Sequence, residues 1–163
     1  MIEPVTVNNL DEMLPLIRRY QEFYKVDNIS DQDNHDFFSQ FGEGTDKGSL
    51  FTYRAGTQAK VKTIHDGNHD HDEPLVAFAT VYFSFASTII SRVAIMNDLY
   101  TLPEYRGRGI GRELIEYCWA YSQKHAAARL QWVTAPDNKA AQALYQSMGA
   151  KQTSWEFFTY TGS

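Results

Sequence analysis

One stretch constrains this chain more than any other: Asp98-Leu-Tyr-Thr-Leu-Pro-Glu-Tyr-Arg-Gly-Arg-Gly-Ile-Gly111. To its left, the apolar, β-branched and aromatic run from Ile89 to Thr101 reads as a strand. To its right, Ile110, Leu114, Cys118 and Tyr121 recur at helical spacing and predict an amphipathic helix from Gly109 to about Ala127. Between the two, Pro103 ends the strand, and Gly107, Gly109 and Gly111 alternate with Arg106, Arg108 and Ile110. A strand, a glycine-rich turn and a helix start gather backbone N–H groups at the positive end of a helix dipole. Glycine lets a phosphate approach the main chain and adopts positive φ at little cost. Arg106, Arg108 and Arg112 add full positive charges. The local expectation is a phosphate-binding turn.

Two common phosphate motifs do not fit. The dinucleotide fingerprint, counted from Gly107, would need its third glycine where Arg112 stands. The nucleoside-triphosphate loop would need Lys-Ser/Thr after Gly111, where Arg112 and Glu113 follow. What remains is Arg106-x-x-Gly109-x-Gly111, with an ordinary glycine-rich strand-to-helix turn as the bland alternative.

At 163 residues the chain is expected to form a single domain, 1–163, with room for a sizeable core. Hydrophobic residues make up 43% and charged residues 21%, an ordinary soluble composition. No apolar run of about 18 residues predicts a membrane span, and Met1-Ile2-Glu3-Pro4 does not open a secretory signal. A single cysteine, Cys118, rules out an internal disulfide and fits a reducing cytoplasm. The net charge of −5 argues against nucleic acid as a partner and favours a cationic small substrate.

In order, Ile2 to Val7 reads as an edge strand, because Pro4 cannot donate to a ladder. Asn9 or Asp11 caps a helix to about Tyr24, with Leu10, Met13, Leu14, Ile17 and Tyr20 on one face and Pro15 in its first turn or so. Ser30 or Asp31 starts a second helix through Phe37, Phe38 and Phe41, closed by Gly42 and Gly44. Ser49–Arg54 and Leu75–Thr88 read as strands. The insert between them carries His65, Asp66, His69, Asp70, His71, Asp72 and Glu73. These are metal-ligand types, but the expectation is a solvated loop and no metal site. Leu130–Thr134 is expected as a strand, Lys139–Met148 as a helix capped by Asp137 or Asn138 and ended by Gly149, and Trp155–Tyr160 as a final strand. Cys118 reads as a small buried hydrophobe.

The turn motif, in its strand-to-helix context, resembles the acetyl-CoA motif of the GNAT superfamily of N-acetyltransferases. Asn138-Lys-Ala-Ala-Gln-Ala-Leu-Tyr-Gln-Ser-Met-Gly-Ala150 resembles that family's second cofactor segment. The likeness covers Ile89 to Tyr160 closely and the first half by layout. It implies an α/β (α+β) fold, a mixed, mostly antiparallel, twisted sheet of about six to seven strands flanked by about four helices. Asp98-Leu-Tyr-Thr followed by Pro-Glu-Tyr-Arg-Gly is similar to the branch holding diamine and thialysine acetyltransferases. The diamine enzymes place an acidic residue before that aspartate, where this chain has Asn97.

The resemblance implies an enzyme that moves an acetyl group from acetyl-CoA directly to a primary amine of a small molecule. Acetylation of protein lysines or N-termini, and non-catalytic acyl-CoA sensing, stay open beside it. The central strand is expected to part from its neighbour, with Leu99, Tyr100 and Thr101 offering main-chain groups to pantetheine and thioester. Arg106, Gly107, Arg108, Gly109, Ile110, Gly111 and Arg112 would hold the pyrophosphate, with Asn138 and Tyr145 from the second segment. Tyr145 is expected as the acid for the leaving thiolate, against a packed aromatic as its other reading. Asp98 is a base or a structural hydrogen-bonding group. Tyr24, Phe37 and Phe38 either line the acceptor site or pack beneath the helices. A homodimer through the aromatic C-terminal strand also follows by resemblance.

Overall fold

The structure, a computed structural model, describes residues 1–42, 45–56 and 73–162. The chain forms two compact units, Met1–Trp132 and Val133–Ser163.

The first unit carries β1 (Ile2–Pro4), α1 (Leu10–Phe23), α2 (Asp31–Phe38), β2 (Gly48–Arg54), β3 (Leu75–Ala86), β4 (Ser91–Thr101), α3 (Ile110–Lys124) and β5 (Ala127–Gln131). The strands form one sheet in the order β1-β2-β3-β4-β5. Its first three pairings are antiparallel and β4–β5 is parallel, as a helical crossover through α3 requires. Antiparallel partners share a face of a sheet, so register assigns the two faces. Leu50, Phe78, Thr80, Asp98 and Tyr100 lie on the face under α1, where Met13, Ile17 and Phe38 complete an apolar core. Phe51 and Phe83 lie on the other face, packed against Tyr117 and Tyr121 of α3. Each large side chain removed from water here contributes about 1.5–3 kcal/mol.

Local chemistry explains the element ends. Ser30 caps α2, its hydroxyl accepting from the Asp33 N–H at 3.1 Å. The side chain of Asn9 turns back instead, accepting from the Thr6 N–H at 2.7 Å. Pro15 sits just past the first turn of α1, and the helix runs through it. A reciprocal amide pair, Gln21 with Asn34 at 2.7 and 2.8 Å, fastens α1 to α2. At the head of β2, Gly48 has φ 149°, and a Cβ there would stand 1.9 Å from the Val81 carbonyl oxygen, so only glycine fits. The buried Arg54 guanidinium joins β2 to β1 and α1 through Glu3 and Glu12.

Several expectations shift. α2 ends at Phe38 rather than continuing through Phe41. β4 begins at Ser91 because Ile89 and Ile90 form the hairpin turn, with Ile90 at φ 48°. β5 starts at Ala127, three residues before the expected Leu130, because the chain reverses at Ala126 (φ 59°) directly after α3. Gly44 and the insert from His65 to Asp72 lie outside the described residues.

The second unit holds α4 (Lys139–Ser147). The side chain of Asn138 caps it, accepting from the Ala141 N–H at 3.2 Å. Gly149, at φ 81°, ends it. The Trp155–Tyr160 segment was expected as a strand, but it has no regular secondary structure, and Trp155, Phe157, Phe158 and Tyr160 are exposed. Alternation alone does not make a strand without a hydrogen-bonded neighbour. The sheet therefore has five strands among the described residues, not six to seven, within the expected α/β class.

Candidate active site

β4 carries one residue more than β3 opposite it. Thr80 faces Asp98 and Val81 faces Met96, so Asn97 is the extra residue of a β-bulge. The bulge resets the alternation. Met96 pairs with Val81 on the α3 face, whereas Asp98 and Tyr100 pair with Thr80 and Phe78 on the α1 face. Without it, Asp98 would share the face of Met96.

On that face Asp98 is only 7% exposed, and both carboxylate oxygens are engaged. Oδ1 accepts from Tyr20 Oη at 2.6 Å. Oδ2 accepts from the Thr80 hydroxyl and, at 3.2 Å, from Asn97 Nδ2. Thr80 Oγ1 in turn accepts from the Asp98 N–H at 3.1 Å. Burial, then the hydrogen bond to Asp98 and its charge, hold the Tyr20 phenol well above its ordinary pKa. Tyr82 lies beside the pair. Its hydroxyl is buried with no hydrogen-bond partner among the described residues. Burial first, with the charge of Asp98 adding and the nearby Thr80 hydroxyl, which lies outside good hydrogen-bond geometry, opposing, pushes that phenol up to about 12.

Among the described residues of this unit, the other edge of β4 has no strand partner beyond Ile95. Parallel pairing with β5 runs from Arg92 to Ile95 and ends opposite Gln131, while β4 continues to Thr101. The N–H groups of Asp98 and Leu102 point to β3. Alternation therefore turns the N–H groups of Leu99 and Thr101 toward that edge. The side chain of Tyr100 is buried in the α1 core, so only its main chain is available there. Arg106 Nε donates to the Thr101 carbonyl at 2.9 Å, and its guanidinium lies over Phe23 at 5.2 Å. Arg106 thus pins the end of β4 as well as charging the turn.

The turn itself places Gly107 at φ 74° and Gly109 at φ 84°, the latter as N-cap of α3. A Cβ at either would meet nothing within 4 Å. Glycine is required here by conformation, and the main chain lies open to a ligand. Arg108 donates to the Glu104 carbonyl at 3.0 Å and stacks on Tyr105, which keeps its charge beside the turn. Ile110 is buried and anchors the first turn of α3, with Gly111 and Arg112 following it. In this unit, then, Asp98, Leu99, Tyr100, Thr101 and residues 106–112 fall consecutively along one strand, turn and helix start. Asn138 and Tyr145 lie on α4 of the second unit, at its cap and in its last two turns.

Tyr20 and Thr80, the two hydroxyls that hold Asp98, carry no motif, and the sequence identifies neither of them. Tyr20 reads only as a member of an apolar helix face. Of the residues considered for an acceptor site, Phe38 packs in the core, while Tyr24 and Phe37 are exposed. Cys118 is buried, which pushes its thiol up to about 12 and makes it a poor nucleophile. Among the described residues no cluster of His, Cys, Asp or Glu is placed to hold a metal, and no helix is long and apolar enough to cross a membrane.

Residues 26–150 match the acetyltransferase (GNAT) family. The chain belongs to that family. The match runs through the bulged strand, the turn and α4, the segments on which the resemblance rested, and the family is one of enzymes, as expected. Thialysine N-epsilon-acetyltransferase of Bos taurus is 32% identical over 92 residues, 54% of this chain and 54% of that protein. The chain thus spans about half the length of that relative. An uncharacterized N-acetyltransferase of Bacillus subtilis, YhfO, is 26% identical over 138 residues, 85% of this chain and 80% of that one. Among solved structures, the aminoglycoside N-acetyltransferase AAC(6')-Iy in complex with CoA shares the fold at a TM-score of 0.71 and 16% identity, over 100% of both chains.

Proposed function

We propose that this GNAT protein is an acetyl-CoA-dependent N-acetyltransferase that acts on a primary amine of a small molecule. The observation that carries this reading is the continuity of β4 and α3. A strand edge at Leu99–Thr101, with no strand partner among the described residues of this unit, leads within a few residues into a glycine turn capping a helix. That order of features suits a long ligand with amides at one end and a pyrophosphate at the other. The residues present fit acetyl-CoA. The Leu99 and Thr101 edge would receive the pantetheine amides, and a main-chain N–H there would polarise the thioester carbonyl. Residues 106–111 would hold the pyrophosphate, with Arg112 beside them. Acetyl-CoA supplies the activated acyl group, and the protein's own groups position it and handle protons. Asn138 caps α4, and by the family resemblance Tyr145 would protonate the departing thiolate. Asp98 is the proposed final acceptor of the amine's proton.

The relatives' names point to amino-acid and aminoglycoside amines, and the net charge of −5 favours such cations. We take the enzyme to be cytoplasmic, to act as one domain, and to pair as a homodimer. The test is thiol release from acetyl-CoA with thialysine, lysine, diamines and aminoglycosides. Turnover with one of them is expected. Release no faster than hydrolysis with all of them would leave an acyl-CoA-sensing module, and acetylation of peptides alone would make it a protein-modifying enzyme.

A further inference from the structure

Asp98 cannot meet an amine directly: it is 7% exposed, and Tyr20, Thr80 and Asn97 already donate to its two oxygens. Of those three, Thr80 is fully buried and Asn97, though exposed, donates through an amide that does not relay protons, which leaves the Tyr20 phenol. It is half-buried, and its neighbours along α1 are the exposed Phe23 and Tyr24, whose rings form an edge-to-face chain with it. The phenol oxygen gives its own proton to Asp98 and keeps lone pairs for another donor.

The geometry points to Tyr20 as the outer member of a proton relay, Tyr20 Oη taking the acceptor's proton while passing its own to Asp98 Oδ1. This rests on the reading of the protein as an amine acetyltransferase. The N–H bond of the acceptor ammonium breaks and a bond to Tyr20 Oη forms. The phenolic O–H bond breaks and Asp98 becomes a neutral acid. The acceptor is left as a free amine with its lone pair available, and Tyr20 ends as it began. Asp98 returns the proton to solvent after the product leaves. The raised pKa of Tyr20 fits this role, because a phenol that stays protonated carries a proton through without becoming a phenolate. The titratable or charged groups around the pair, among the described residues, are Tyr24 on α1, Tyr82 on β3, Tyr100 on β4 and Arg106 beyond Tyr100.

The experiment compares wild type with Tyr20→Phe across pH, using whichever of thialysine, lysine, 1,3-diaminopropane or kanamycin the wild type acetylates. A purely structural tyrosine would lower kcat/KM by one factor at every pH. The relay predicts a penalty of about a hundredfold near neutral pH. That penalty shrinks to a few-fold near pH ~10, where a lysine-type amine with a pKa of about 10.4 begins to deprotonate unaided. Acetyl-CoA should protect Tyr20→Phe from heat as it does the wild type. A proton inventory in mixed H2O and D2O, done on wild type alone, should be curved, with two protons in flight. A pH-independent penalty or a linear inventory in an active enzyme would overturn the relay only. Inactivity of the wild type on all four amines would overturn the small-amine reading, and the relay with it.

Discussion

Thr80 and Asp98 hold each other twice across β3 and β4: the hydroxyl donates to the carboxylate and accepts the N–H of the same aspartate. The bulge at Asn97 makes this reciprocity available by bringing Asp98 opposite Thr80 with its side chain on the same face. Thr80→Val keeps the shape and removes both bonds. It leaves a buried N–H without its acceptor and a buried carboxylate one donor short, a cost of about 1–3 kcal/mol. Urea unfolding should show that loss with an unchanged m-value. Stability equal to wild type would mean that the pair contributes nothing.

Gly109 combines positive φ with open space, so two substitutions there separate two effects. Gly109→Ala strains the helix cap by about 1 kcal/mol and should lower the melting temperature by a few degrees. Gly109→Glu adds a charged chain on the face the turn presents, and acetyl-CoA should then give no thermal protection. Protection equal to wild type would move the pyrophosphate away from this turn.

Tyr145→Phe should lower kcat about a hundredfold and leave acetyl-CoA affinity nearly intact, as expected for an acid that acts only as the thiolate departs. Affinity is read by titration calorimetry and turnover by thiol release. Full turnover would return Tyr145 to a packing role.

Alkali should unfold the protein through its buried phenols. Tyr82 is pushed from 10.0 up to about 12 by burial, and burial raises Tyr20 as well. Below pH ~10 both folded and unfolded chains keep these protons, and stability does not depend on them. Above it the unfolded chain gives them up first, so stability falls as pH rises toward about 12. Urea midpoints measured from neutral to alkaline pH should show the decline, and Tyr82→Phe should flatten part of it. The same variant removes a buried hydroxyl that lies beside Thr80 without a well-formed hydrogen bond, so its loss should cost little at pH ~7.

What could be read from the sequence was local. Pro103, three glycines and the spacing from Ile110 to Tyr121 are near-neighbour signals, and they locate the turn and the start of α3 within a residue, although the helix ends at Lys124, three residues before the expected Ala127. Ser30 and Asn138 announce their helices in the same way. Pairing is not local. Whether Trp155–Tyr160 joins a sheet depends on a neighbour that alternation cannot supply, and β5 begins where Ala126 turns the chain rather than where the β-formers cluster. The partner of Asp98 was hidden for the same reason. Tyr20 lies 78 residues away and carries no signature. Whether Asp98 is a base or a structural group is not legible locally, because its environment is assembled from three separate elements.

The additional residue at Asn97 also changes how this chain should be compared with its relatives. A homologue lacking it would present to the same pocket the carboxylate one place earlier in its sequence. Column-by-column alignment of acidic residues would then match side chains that point to opposite sides of the sheet. Superposed strands, rather than shared letters, identify which aspartate or glutamate corresponds to which.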